Sequence, residues 1–187
     1  MKQIVILASG SGSNAENIIT YFRENPEIEV AAVLTNKREA KVLERCDRLG
    51  VPAFYFNRTS FTKSDAVVQL LKGLSTDLVI LAGFLWKIPE NMIAAFPNKI
   101  INIHPALLPK YGGKGMYGEK VHQAVKENSE TETGITIHYV NEHYDEGAII
   151  FQAKTQVNPS DDADSIAEKV HQLEYEHFPK VIKKLLS

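Results

Sequence analysis

The sequence contains a single cysteine, Cys46, so no disulfide can form within the chain. A reducing, cytoplasmic setting is therefore expected, because small secreted proteins commonly rely on disulfides. Net charge is also small: 21 Lys and Arg against 23 Asp and Glu give a formal charge of −2. This balance argues against the broadly basic surface of proteins that coat nucleic acids. We expect no nucleic-acid partner.

Long apolar runs are absent, and no stretch reaches the roughly 18 residues that read as a membrane span. The N-terminal run at residues 4–8 is broken at once by Gly10, and it lacks the cleavage pattern of a signal peptide. The 11 Gly and 8 Pro are scattered, which excludes collagen-like and low-complexity chains. With 44% hydrophobic residues among 187, we expect one globular domain over residues 1–187, away from any membrane.

Short apolar runs alternate with helical patterns along the first hundred residues. Strands are predicted at residues 4–8, 30–34, 51–56, 78–82 and 100–103, and helices at 14–22, 39–49 and 63–74, with a short one opened by Pro89. This alternation predicts parallel strands with helices on both faces of the sheet. The strand at 78–82 is the most apolar of the set and is expected at the centre.

The second half of the chain follows a different pattern. A loop is predicted at residues 105–118, a short helix at 122–127, and an antiparallel strand pair at 136–140 and 148–157. A long last helix begins at Asp161 or Asp162. The expected fold is a single Rossmann-like α/β domain, with a mostly parallel twisted sheet flanked by helices and an antiparallel hairpin at one edge. Ligands of such sheets bind beyond the carboxyl ends of the strands.

A glycine-rich loop, residues 9–15 (SGSGSNA), follows the first predicted strand and opens the first helix. Free N–H groups at a helix start favour an anion, usually phosphate, and Ser11, Ser13 and Asn14 add polar side chains. The same residues match the glycine motif of dinucleotide-binding loops, which expects an acidic residue after the second strand to bind the ribose. Here Lys37 and Arg38 follow that strand instead. NAD is therefore disfavoured, while NADP and a plain strand-to-helix turn remain open.

Asn102 and His104 lie two residues apart at the end of the fifth predicted strand, and therefore on one face of it. Imidazole can move protons near neutral pH, and an amide can donate to a developing oxyanion. Asp145, in a predicted turn, could orient a histidine, or it could be a solvated turn residue. His138 and His143 lack a third ligand, so no metal is expected. Cys46 lies on the apolar face of the helix predicted at 39–49 and is expected in the core.

Five segments together resemble the glycinamide ribonucleotide branch of the folate-dependent formyltransferases. They are IVILASGSGSN (residues 4–14), LAGFLWKI (81–88), NIHPALLPKY (102–111), GITIHYV (134–140) and DEGAIIFQAK (145–154). The resemblance covers nearly the whole chain in the family's order. It implies formyl transfer from 10-formyltetrahydrofolate, as co-substrate, to the amine of glycinamide ribonucleotide in purine synthesis. It also implies small-molecule partners, no metal, and a monomer or homodimer.

The resemblance also assigns roles to residues. Asn102, His104 and Asp145 match the family's catalytic residues. The positions that match the ribonucleotide site are Ser11, Gly12, Ser13, Asn14 and Glu174, and those that match the folate site are Leu85, Trp86, Lys87, Ile88 and Asn102, with Arg58 as the basic candidate. The family often has arginine where Trp86 stands, and residues 112–118 are unusually rich in glycine. The alternatives are hydrolysis of the formyl folate, formylation of methionyl-tRNA, an NADP-dependent oxidoreductase and a non-catalytic phosphoribosyl-binding module.

Overall fold

The computed structural model describes residues 1–187 as a seven-stranded sheet flanked by seven helices. The strands are β1 Lys2–Leu7, β2 Ile28–Thr35, β3 Ala53–Tyr55, β4 Thr76–Leu81, β5 Ile100–His104, β6 Glu132–Tyr139 and β7 Ile149–Gln156. The helices are α1 Ser13–Phe22, α2 Val42–Leu49, α3 Arg58–Thr62, α4 Ala66–Gly73, α5 Glu90–Ala95, α6 Glu119–Glu127 and α7 Ala163–Leu186. None of these helices combines the length and the apolar character that crossing a membrane requires.

The strands lie in the order β3-β2-β1-β4-β5-β6-β7. The first five are parallel, whereas β6 pairs antiparallel with both β5 and β7. Strand β4 is therefore the middle strand, as its apolar run predicts, and the antiparallel pair stands at one edge. The expected α/β class, parallel opening and edge hairpin are all confirmed.

Each face of the sheet packs against its own helices. One core contains Ile4, Ile6 and Cys46 together with residues of α1, α2, α6 and α7. The other contains Val5 and Leu7 with residues of α3, α4 and α5. Alternate residues of β1 thus face opposite cores, because successive side chains of a strand point to opposite sides. Because helices cover β1 on both faces, all of its central side chains are buried, which explains the unbroken apolar run at residues 4–8.

Two predicted helices differ from the observed ones. The helix expected at 39–49 begins only at Val42, whose N–H donates to the carbonyl of Gly10 at 3.2 Å, so this helix start is attached to the glycine loop. The helix expected at 63–74 is present but shorter, as α4, and the unpredicted helix α3 precedes it. Asn57 caps α3 by accepting a 2.8 Å bond from the N–H of Ser60, and α3 ends at Thr62. The apolar pattern does not predict α3, because its capping asparagine lies outside that pattern.

Candidate active site

A cavity of about 880 Å³ opens beyond the carboxyl ends of β1, β4 and β5. This is the edge where ligands of parallel sheets bind. Residues from four predicted segments line it: the glycine loop, residues 85–88, the end of β5 and the turn that holds Asp145. Glu174 of α7 also lines it, so residues far apart along the chain meet in one place.

The glycine loop leaves its backbone open to the cavity. The N–H groups of Ser11, Gly12, Ser13 and Asn14 donate no hydrogen bond within the chain. Gly12 has a φ of 74°, and a Cβ built there lies 2.3 Å from a methyl carbon of Val42. Only glycine therefore fits between the loop and the start of α2. Free N–H groups at the start of α1, together with the helix dipole, form a site suited to an anion.

Asn14 joins this loop to the last helix. Its side-chain nitrogen donates a 2.8 Å hydrogen bond to Oε2 of Glu174, which is 5% exposed. Burial raises the pKa of Glu174 to about 7, and the bond from Asn14 opposes that rise only in part. The carboxyl group thus keeps its proton to a higher pH than an exposed glutamate does, and its two forms can donate to or accept from a ligand hydroxyl.

The register of β5 and β6 brings two further polar side chains together. Asn102 lies opposite His138, and the amide nitrogen of Asn102 is 3.1 Å from Nε2 of His138. Nδ1 of His138 is 2.9 Å from the carbonyl of Tyr139, so Nδ1 carries the proton and Nε2 accepts from the amide. This arrangement fixes which end of the amide faces His138, and it leaves the second N–H of the amide available for a ligand.

His104 is 4% exposed and is held at both ring nitrogens. Nε2 lies 2.7 Å from the carbonyl of Tyr111, and Nδ1 lies 3.6 Å from Oδ2 of Asp145. Burial lowers the pKa of His104, although Asp145 and the Tyr111 carbonyl act in the opposite direction. The imidazole is therefore neutral at physiological pH.

Asp145 sits in a tight turn with a φ of 58°. It accepts a 2.9 Å bond from the N–H of Gly113, and its other oxygen lies 3.6 Å from Nε2 of His138. Burial alone raises the pKa of Asp145, but His138, His104 and that N–H together outweigh burial and keep the pKa below its usual value. A carboxylate thus stands between two imidazoles.

The predicted folate residues form one wall of the cavity and part of a neighbouring one. Residues 85–88 line both cavities, whereas Arg58 lines only the second, which has a volume of about 800 Å³. The Arg58 guanidinium lies 5.4 Å from the centre of the Trp86 ring. Ile88 is 4% exposed and also belongs to a hydrophobic core. Lys37 lines the main cavity, but Arg38 turns away and lies over the ring of Tyr55.

Four histidines that neither a motif nor the resemblance assigns to the site also line the cavity: His122, His138, His143 and His171. The alternating pattern places Thr136 and His138 on one strand face, but it does not show that this face lies beside Asn102. No group of three or more His, Cys, Asp or Glu is placed to hold a metal ion. Cys46 is fully buried in the core, as predicted, and burial raises the pKa of its thiol to about 11.

Comparison with known proteins gives the same family from sequence and from structure. The formyl transferase family matches residues 2–182. The chain is 36% identical to phosphoribosylglycinamide formyltransferase of Bacillus subtilis, covering 100% of this chain and 95% of that protein. The Haemophilus influenzae protein of the same name is 36% identical, with 98% and 86% covered.

Solved structures agree with the sequence relatives. Glycinamide ribonucleotide transformylase 1 of Geobacillus kaustophilus superposes with a TM-score of 0.90 at 34% identity, and both chains are covered completely. Phosphoribosylglycinamide formyltransferase of Streptococcus pneumoniae gives a TM-score of 0.88 at 33% identity, again over 100% of both chains. The chain therefore belongs to the formyl transferase family.

Proposed function

We propose that this chain transfers the formyl group of 10-formyltetrahydrofolate to the amine of glycinamide ribonucleotide. The observation that carries this proposal is the shared cavity of the glycine loop and the cluster of Asn102, His104 and Asp145. The family membership and the names of its relatives support the same reaction. On this proposal residues 1–187 act as one formyltransferase domain in the cytoplasm, with no metal.

The two substrates would enter from different sides of the cavity. The N–H groups of Ser11, Gly12, Ser13 and Asn14 bind the phosphate of the ribonucleotide, and Glu174 binds a ribose hydroxyl. Residues 85–88 border the folate ring, and Arg58 meets the anionic end of the folate in the adjoining cavity. Binding both substrates at fixed positions brings the amine to the formyl carbon, which removes much of the entropic cost of reaction.

The chemistry is a direct transfer with a tetrahedral intermediate. The amine nitrogen bonds to the formyl carbon while the carbonyl electrons move to the oxygen. The free N–H of Asn102 donates to that oxyanion, and His138 positions the amide for it. Collapse of the intermediate breaks the bond between the formyl carbon and the folate nitrogen. One proton leaves the amine and one reaches the folate nitrogen, so atoms and charge balance.

His104 and Asp145 serve these proton movements. His104 is neutral at physiological pH and can accept a proton from the attacking amine, directly or through a water held by Asp145. The ionised Asp145, 3.6 Å from Nδ1 of His104, then stabilises the imidazolium. No covalent enzyme intermediate is needed, and the only cysteine is buried away from the cavity.

The alternatives have less support. An NADP-dependent oxidoreductase makes no use of Asn102, His104 and Asp145, and only one of the two basic residues after β2 reaches the cavity. Hydrolysis of the formyl folate needs no glycine loop for a phosphate. The relatives at 36% identity are named as transferases.

The test follows the absorbance of a 10-formyl folate with purified protein, with and without glycinamide ribonucleotide. We expect consumption only when the ribonucleotide is present, together with its formylated form detected by mass spectrometry. Consumption without the ribonucleotide means hydrolysis and contradicts the proposal. If neither mixture reacts while NADPH binds in a fluorescence titration, the oxidoreductase alternative replaces it.

A further inference from the structure

The second helix holds the glycine loop from behind. The N–H of Val42, at the start of α2, donates a 3.2 Å hydrogen bond to the carbonyl of Gly10. About one turn further along α2, Nε of Arg45 donates a 2.7 Å bond to the carbonyl of Ser11. Two consecutive carbonyl groups of the loop therefore point towards α2. No residue of α2 lines the cavity, so this helix lies on the far side of the loop from the ligand site.

The direction of these carbonyls determines where the N–H groups of the loop point. Both peptide units are trans, and a trans unit is planar with its C=O and N–H on opposite edges. The carbonyl of Ser11 shares a peptide unit with the N–H of Gly12, and the carbonyl of Gly10 shares one with the N–H of Ser11. Because both carbonyls bond to α2, both N–H groups face away from it, towards the cavity.

The Arg45 side chain is fixed in its turn by Glu16 in the first turn of α1. Its Nη1 bonds to Oε2 of Glu16 while its Nε bonds to the loop, and a planar guanidinium can hold two acceptors at once because its donors form a rigid fork. Arg48 bonds to Oε1 of the same carboxylate but makes no bond to the loop. Arg45 is thus the one side chain that connects the Glu16 carboxylate to the loop backbone.

We propose that Arg45 is a positioning residue of the phosphate site, which holds the peptide unit between Ser11 and Gly12 so that the N–H of Gly12 faces the bound phosphate. This inference rests on the phosphate-binding part of the proposed function. Glycine allows many backbone conformations, so a glycine-rich loop needs an outside contact to keep its N–H groups aligned before the ligand arrives. A bond from a charged donor to the carbonyl also polarises the peptide unit and strengthens its N–H as a donor.

The test compares two arginines of α2 that share one carboxylate. Arg45→Met and Arg48→Met each remove an ion pair with Glu16, but only the first leaves the carbonyl of Ser11 without its donor. Methionine keeps much of the aliphatic stem and removes the charge. Ribose 5-phosphate, titrated calorimetrically into the intact protein, should bind roughly tenfold more weakly to Arg45→Met and with unchanged affinity to Arg48→Met.

A second ligand separates positioning from a general loss of structure. Binding of tetrahydrofolate is followed by the fluorescence of Trp86, the only tryptophan, which lines the cavity on the wall proposed for the folate. Its affinity should be the same in wild type and in both methionine variants. In steady-state kinetics of Arg45→Met, KM for the ribonucleotide should rise while kcat changes little. Arg45→Lys keeps a charged donor but lacks the fork, so its affinity for ribose 5-phosphate should be intermediate.

Three results would overturn the inference. They are equal binding of ribose 5-phosphate by Arg45→Met and Arg48→Met, an equal loss of tetrahydrofolate and ribose 5-phosphate binding in Arg45→Met, and no binding of ribose 5-phosphate by the wild-type protein. Both titrations are made without turnover, so failure of formyl transfer leaves a positive result intact. A working transferase in which Arg45→Met binds ribose 5-phosphate normally would contradict this inference alone.

Discussion

The side-chain amide of Asn14 donates a 2.8 Å hydrogen bond to Glu174, and this bond ties the first helix to the last at the edge of the cavity. The acceptor is a carboxyl group that is 5% exposed and has no basic partner. The protein thus keeps a titratable group buried, where loss of water disfavours its ionised form. Its protonation therefore affects both stability and binding.

Stability should fall as Glu174 ionises. The carboxyl group has its ordinary pKa of 4.5 in the unfolded chain and a pKa of about 7 in the folded one, so the folded state holds the proton more tightly. Between pH 4.5 and about pH 7 the carboxyl group is ionised in the unfolded chain but still protonated in the folded one. The free energy of unfolding therefore decreases as the pH rises through this range. The total decrease from this group is about 3 kcal/mol.

Urea denaturation of wild type and Glu174→Gln between pH 4.5 and 8 measures this effect. Glu176→Gln serves as the control, because Glu176 is exposed on the same helix and pairs with Lys180. A difference between wild type and Glu174→Gln that does not change with pH would contradict the assignment.

Removing the proposed catalytic groups should reduce turnover without unfolding the protein. Asn102→Ala should lower kcat by about 10²–10³, the usual effect of losing one oxyanion donor. His104→Ala should lower it by about 10²–10⁴, the range for a positioned acid–base group. Steady-state kinetics and circular dichroism measure both effects. Asn128→Ala, at the exposed end of α6, is the matched control and should keep full activity. Wild-type turnover in either site variant would exclude that residue from the chemistry.

His138 should act through Asn102 and not on the substrate. His138→Leu leaves the Asn102 amide free to rotate, so kcat should fall by at least about tenfold but by less than the roughly 10²–10³ of removing the amide. KM for both substrates should change little. His138→Gln offers an oxygen acceptor and should recover part of the loss. Equal losses in the two variants would mean that the imidazole has another role.

The Gly12 position should tolerate no side chain. Its φ of 74° and the 2.3 Å approach of Val42 to a built Cβ mean that Gly12→Ala strains the loop. We expect a loss of at least about 1–2 kcal/mol in unfolding free energy from the backbone conformation alone, and weaker ribose 5-phosphate binding. Gly10→Ala is the matched control for stability, because nothing lies within 4 Å of its built Cβ. If both variants are equally stable, the contact with Val42 is not limiting.

Local patterns in the sequence predict most of the fold. The apolar run of β4 identifies the central strand, Gly50 ends α2 in the left-handed conformation, and Asp162 caps α7 by accepting from Ser165. Each of these depends on residues close together in the chain. The short helix α3, which precedes the predicted 63–74 helix, is not predicted because Asn57 caps a helix that has almost no apolar pattern.

The site divides in the same way. The glycine loop and the Asn102–His104 pair are recognisable because each forms a continuous motif at a strand end. His138 and His171 cannot be recognised in this way. The register of β5 against β6 brings His138 to the site, and the packing of α7 against α1 brings His171 there. Asp145 was found through the family resemblance; its own turn gives no indication that two imidazoles lie on either side of it.

The bond between Asn14 and Glu174 also bears on how the protein is made. The two residues are 160 positions apart, and a chain leaving the ribosome exposes the glycine loop long before it exposes the last helix. Until α7 docks, Asn14 has no carboxyl partner and the cavity lacks one wall. A nascent or truncated chain without α7 therefore has the loop but not the complete pocket, and ligand binding becomes a late step in the maturation of this protein.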